Sequence, residues 1–315
     1  MDERERVTLE QLRDAVVVPR RYPGRWAAAA FLLVLLALFI EALVTNPRFE
    51  WPVVLHYLFA PPILNGLLLT LKLTFIATIV SLIAGTCLAL MRMSTNLVLR
   101  SVAAAYIWFF RSVPLLVQII FFYNFSALYP HLSLGLPGMG PGFGSFNVNA
   151  VITPFVAALL GLGFNESAYT AETVRGGILS VDPGQWAAAK SVGFSPAQTV
   201  RHVILPQAIR VFLPPFGNQV VNLLKLTSLV SIVALADLLY SAQLIYARTF
   251  QTIPLLIVVS IWYLVVVSIL SYGQSLLERR MSAAPSRRRR RQVPPPAAER
   301  PTLTSEAKDV LTPAS

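Results

Sequence analysis

The chain has 315 residues, of which 55% are hydrophobic and only 13% charged, with a mean hydropathy of +0.63. A water-soluble domain of this size would need about twice that charge to cover its surface, so the composition indicates a polytopic membrane protein. The net charge of +11 raises the question of nucleic acid, but the 26 Lys and Arg cluster beside apolar runs with no nucleic-acid-binding signature, and nucleic acid is not expected as a partner.

Residues 1–25 are charged and carry six arginines, which reads as a cytoplasmic N-terminal segment. The apolar run 26–45 has no small-residue cleavage site and is expected to stay as a membrane anchor. An α-helical span needs about 20 mostly apolar residues. By that measure the second span is Leu64 to Met91, and the third is Leu97 to Leu128, where Arg111 and Pro114 predict a kink. The Gly- and Pro-rich stretch Tyr129 to Asn149 has no Lys or Arg and is expected to lie irregularly on the outer surface. A fourth span covers Val151 to about Glu172. A fifth starts near Gln207, is disturbed by Pro214-Pro215 and reaches about Ala236, and a sixth runs from Thr249 to Leu277. Residues 281–315, with five consecutive arginines at Arg287–Arg291, have the composition of a disordered cytoplasmic tail that adheres to anionic membrane lipid. No internal repeat stands out.

Basic residues set the orientation. With residues 1–25 inside, the loops on that side hold 21 Lys and Arg and the loops opposite hold 2, Arg48 and Arg248. Both termini are therefore expected to be cytoplasmic, and so is the stretch between the fourth and fifth spans.

That stretch, "GQWAAAKSVGFSPAQTVRHVILP" from Gly184 to Pro206, is amphipathic although apolar runs flank it. Gly193 supplies a turn that a Cβ would resist. Ser195 is placed to cap a second helix with Pro196 at its first position, and Pro206 is expected to stop it. The small side chains Ala187, Ala188 and Ala189 would let another protein's backbone approach closely. The segment reads as a docking knob hung between two spans.

Its spacing resembles the EAA loop of permease subunits in type I ABC importers: EAA, three residues, Gly, nine residues, Ile, one residue, Leu-Pro. Here the triplet is Ala187-Ala188-Ala189, the glycine Gly193, and the end Val203-Ile204-Leu205-Pro206. Val203 stands for Ile and Ala187 for Glu, which removes any ion pair or cap that carboxylate makes. The stretches "NGLLLTLKLTFIATIVSLIAG", "FFRSVPLLVQIIFFYN", "ESAYTAETVRGGILSVDPGQ" and "LPPFGNQVVNLLKLTSLVS" are similar to the polar amino-acid branch, the permeases for histidine, glutamine, glutamate, arginine and opines. The resemblance covers residues 60–280. It implies an all-α type I permease fold with five core transmembrane helices plus the N-terminal one.

The resemblance further implies a path for polar amino acids across the bacterial inner membrane, two cytoplasmic ABC ATPase subunits, a second permease subunit and a periplasmic or extracellular solute-binding protein. Residues 184–206 then act as the coupling loop, with Gly184, Ala187, Ala188, Ala189, Ser191, Gly193, Phe194, Leu205 and Pro206 at or beside the ATPase. Charges within a bilayer are costly and usually face a pathway or a partner. Glu166 and Lys225 are read that way, with Tyr123, Asn124, Asn165, Thr227 and Ser228 nearby. Glu172 and Arg175, three apart, read as a structural pair.

The chain has no Gly-x-x-x-x-Gly-Lys-Ser/Thr run, so ATP is expected to be held by a separate subunit and this chain not to be an enzyme. His56, His131 and His202 are widely spaced and Cys87 is the single cysteine, so no metal site, catalytic set, disulfide or cofactor is expected. The rival reading is a secondary amino-acid transporter driven by an ion gradient, against which the Gly184–Pro206 insert argues.

Overall fold

The computed structural model describes residues 23–133 and 145–282. The charged N-terminal segment, the centre of the Gly/Pro-rich loop and the tail with Arg287–Arg291 lie outside the described residues. The chain forms two compact units, one from residues up to Thr70 with Ala234–Tyr263, the other from Leu71–Val233 with the residues from Leu264 on. Helices α3 (Pro61–Met93) and α13 (Thr252–Ser282) each contribute a part to both.

The first unit holds α1 (Pro23–Thr45), α2 (Trp51–Leu58), the start of α3, α12 (Leu238–Thr249) and the start of α13. None of the apolar stretch Ala27–Thr45 is buried within the chain. The indole of Trp51 donates to the carbonyl of Leu43 at 3.0 Å, tying the end of α1 to α2. Val54, Ile63, Leu238, Ala242, Leu255 and Val258 make the core of this unit. Helices α3 and α12 touch backbone to backbone: a Cβ on Gly66 would sit 2.6 Å from the carbonyl oxygen of Asp237. The Thr70 hydroxyl accepts from the Leu238 amide at 3.1 Å in the same seam.

The second unit is built on α8 (Pro154–Leu179), which packs against α4 (Leu97–Ser112), α5 (Leu115–Tyr123) and α11 (Leu205–Leu226). Thr153 caps α8, its hydroxyl accepting from the Val156 amide. Small residues let the neighbours in: a Cβ on Gly161 would lie 2.6 Å from the Ile119 side chain. Because protein rather than lipid covers it, α8 can carry the buried polar residues Asn165, Glu166, Ser167 and Thr170 and still belong among the core helices. For the same reason it is absent from the helices apolar enough to cross a membrane by composition. Those are α1, α3, the helical stretch Pro196–Val233 that contains α11, and α13, joined by α4 and α5 if that bent pair is one span.

Several expectations need correction. The third span does not merely kink: α4 and α5 meet at 101°. Pro114 forces Val113 into an extended conformation and removes an amide, so the helix breaks there. Two buried amides satisfy carbonyls at the break. Gln118 Nε2 donates to Phe110 and Val113 at 3.0 and 2.8 Å, and Asn165 Nδ2 donates to Phe110 at 2.8 Å. Pro206 does not stop a helix either. A π turn, Thr199–Ile204, carries the chain into α11 with Pro206 in its first turn, where a missing amide costs little. Pro214 and Pro215 lie inside the continuous α11. The loop after the third span is less irregular than expected: β1 (His131–Ser133) pairs antiparallel with β2 (Ser145–Asn147), with Leu132 opposite Phe146.

Candidate functional site

The segment expected from its spacing to couple opens with α9 (Pro183–Ser191). Asp182 caps it, its carboxylate accepting from the Gly184 amide at 2.7 Å, with Pro183 at the first helical position. The helix ends as the sequence anticipates. Gly193 sits at φ 86°, its amide bonds Lys190, and the Phe194 amide bonds Ala189. These two bonds are a Schellman ending, and it needs the left-handed residue that glycine supplies. Ser195 then caps the next turn, α10 (Pro196–Gln198), in a reciprocal box with Gln198. Val181, Ile204 and Ala208 form a small apolar anchor beneath the segment. The outcome is a short helix held rigidly at both ends.

Exposure divides the expected contact residues. Gly184, Ala187, Ala188, Ser191, Gly193, Phe194, Leu205 and Pro206 are exposed, whereas Ala189 is 6% exposed and packs inside the chain. The Ser191 hydroxyl donates to the Ala187 carbonyl, and the Phe194 ring lies 6.3 Å from that of His202. Trp186, Val192 and Phe194 present apolar side chains to solvent, Val192 at 76% exposure. An apolar tip with no cover among the described residues suits a partner surface.

The second region is a cavity of about 510 Å³ within the second unit, beside the α4–α5 break. Arg111, Asn165, Glu166, Tyr169, Asn218, Gln219 and Asn222 contribute its polar lining. Glu166 is 5% exposed and, among the described residues, has no ion pair. The Arg111 guanidinium lies 5.1 Å from the centre of the Tyr169 ring, a cation–π arrangement that holds it at the cavity. Gln219 donates to Thr173 at 2.9 Å and leaves its carbonyl oxygen buried without a partner. One anion, one cation and spare amide groups together match the functional groups of an amino acid.

The cavity gathers two of the residues picked from the sequence for the path, Asn165 and Glu166. Asn165 spends its amide nitrogen on the Phe110 carbonyl. Tyr123 is exposed near the end of α5, and Asn124 bonds the Ile120 carbonyl. Lys225 is exposed, Thr227 is fully buried with its hydroxyl on Leu224, and Ser228 bonds Lys225; none of these five lines the cavity. The sequence reading passed over Arg111, Tyr169, Asn218, Gln219 and Asn222. A signal for three of them was present: Asn218, Gln219 and Asn222 are amides on one or adjoining faces of the otherwise apolar stretch 211–224. Glu172 and Arg175 form their pair, Nη2 to Oε2 at 2.6 Å.

Residues 77–283, which include both regions, match the family described as binding-protein-dependent transport system inner membrane component. The chain belongs to this family. Among its relatives, the arginine transport system permease protein ArgU of Corynebacterium glutamicum is 40% identical over 83% of this chain and 81% of its own length. The probable glutamine ABC transporter permease protein GlnM of Bacillus subtilis is 36% identical over 69% of this chain and 92% of its own. A crystal structure described as an amino acid ABC transporter with histidines superimposes with a TM-score of 0.61 at 37% identity, covering 70% of this chain and 95% of that one. The fold is that of a type I ABC importer permease, a transport component of the membrane that works with ATPase subunits. Membership sets aside the ion-gradient carrier.

Proposed function

We propose that this chain forms the transmembrane path for polar amino acids in an ATP-driven importer, with the cavity beside the α4–α5 break as the station where the substrate pauses. The observation that carries the reading is the buried, unpaired Glu166 carboxylate facing a cavity that Arg111 also lines. A buried charge without a partner is unfavourable until an opposite charge arrives. A substrate ammonium or cationic side chain meets that need at Glu166, and the substrate carboxylate goes to Arg111. The relatives named for arginine and glutamine, and the neighbour described with histidines, support this class of substrate.

In this reading residues 60–280 are the permease domain, 26–45 an added N-terminal span and 281–315 a basic cytoplasmic tail against membrane lipid. Both termini and the coupling loop 184–206 face the cytoplasm of a bacterial cell. Two ABC ATPases receive the exposed tip of α9, a second permease subunit, identical or related, completes the path, and a solute-binding protein delivers the substrate from outside. Closure of the ATPases on ATP pushes α9, and the rigid capping at both its ends passes that push to α8 and α11. Alanine at position 187 leaves this contact to apolar packing rather than a carboxylate.

Uptake of labelled amino acids by the reconstituted complex tests the station. Glu166→Gln should lower uptake of a cationic amino acid roughly tenfold or more, the usual consequence of removing one member of a desolvated charge pair. Arg111→Gln should weaken every amino acid while sparing the discrimination between cationic and neutral side chains. Unchanged uptake by both variants, with assembly intact, would sink the station.

A further inference from the structure

The geometry points to a binding site for the phosphate of an anionic membrane phospholipid in the first unit, where α3 and α12 diverge, with Arg248 as its anchor. A cavity of about 690 Å³ lies there, with Leu69, Leu244, Ile245, Tyr57, Asn65 and Arg248 among its lining residues.

The seam between the helices fixes where this crevice opens. Thr70 meets Leu238, and Gly66 meets Ser241 and Asp237, so the two helices run antiparallel. One further turn brings α3 to its start at Pro61 and carries α12 on to Ile245; beyond that lie Arg248 and the end of α12 at Thr249. Helix α13 begins three residues later at Thr252. The crevice runs along this seam, from Leu69 and Ala236 past the glycine contact to Arg248 and Thr249, and that last end lies where two long apolar helices begin. That is the level at which a bilayer changes from acyl chain to headgroup.

Apolar side chains, Leu69, Leu244 and Ile245, share the lining with Tyr57, Asn65 and Arg248, and Arg248 lies at the end where α12 stops. Arg248 is exposed and makes no ion pair among the described residues. The nearby carboxylate of Glu50 accepts from Gln251 at 3.3 Å, and that of Asp237 is buried in the seam. A guanidinium at a membrane boundary, above an apolar slot, has the chemistry to pair with a phosphodiester while the slot takes the first methylenes of an acyl chain. A free phosphate would gain nothing from the slot. A diacylglycerol would gain nothing from the arginine.

The test uses the whole transporter in detergent, with a phosphatidylglycerol that carries a photoreactive group on its acyl chain. Labelling should map to the peptides holding Leu69 and Leu244. Unlabelled phosphatidylglycerol should compete, and diacylglycerol and inorganic phosphate should not. Arg248→Gln should cut labelling about tenfold, Arg248→Lys should keep much of it, and Leu244→Trp, which fills the slot and leaves the arginine, should abolish it. Full labelling of Arg248→Gln, or competition by diacylglycerol as strong as by phosphatidylglycerol, overturns the site. So does efficient disulfide formation between two copies carrying Leu244→Cys, since a second permease would then fill the crevice.

Discussion

Asp237 shows how much one side chain carries. Its carboxylate caps α12 through the Tyr240 amide at 2.8 Å, and the residue is wholly buried. Asp237→Asn keeps an oxygen for the cap, whereas Asp237→Ala removes it and should lower the Tm, since losing such a cap costs about 1 kcal/mol. Equal Tm values for the two variants would contradict this. Glu172–Arg175 makes the opposite case: legible from its spacing, partly exposed on both sides, and worth at most about 1 kcal/mol.

At the scale of the element, the coupling segment was largely legible because its signals are local. Gly193 and Ser195 sit within a few residues of the bonds they make, and both bonds form. Gly193→Ala tests the element with little else disturbed, since a Cβ there meets nothing within 4 Å. The penalty is backbone strain of about 1 kcal/mol, too little to unfold the protein. Uptake should nevertheless fall several-fold relative to ATP hydrolysis, because a shifted tip transmits less of the push. A ratio of uptake to hydrolysis equal to the parent's would show that the ending of α9 plays no part in coupling. The α4–α5 break was only half legible. Pro114 announces a disturbance, but the 101° turn depends on carbonyls being met by Gln118 and by Asn165 from another helix. Sequence periodicity within one segment carries no trace of a partner 55 residues away.

Across the whole molecule, membrane character and the family were the most legible features, since bilayer thickness and the spacing of the coupling loop impose them directly. The cavity was the least. Arg111, Tyr169, Gln219 and Glu166 come from three helices, and only the packing of α8 against α4 and α11 assembles them. Lys225 and Glu166 look alike in the sequence, as single charges in apolar runs. Packing leaves Lys225 exposed and takes Glu166 inside.

The account stands on α9 being the point where an ATPase pushes on this chain, and crosslinking measures that contact directly. Cysteine replaces Ser191 or Phe194, a second cysteine is scanned along the groove of the co-expressed ATPase, and the covalent product is quantified with and without ATP. The prediction is an abundant permease–ATPase adduct whose yield changes when ATP is added. An ATPase that co-purifies yet forms no adduct from either position would contradict it.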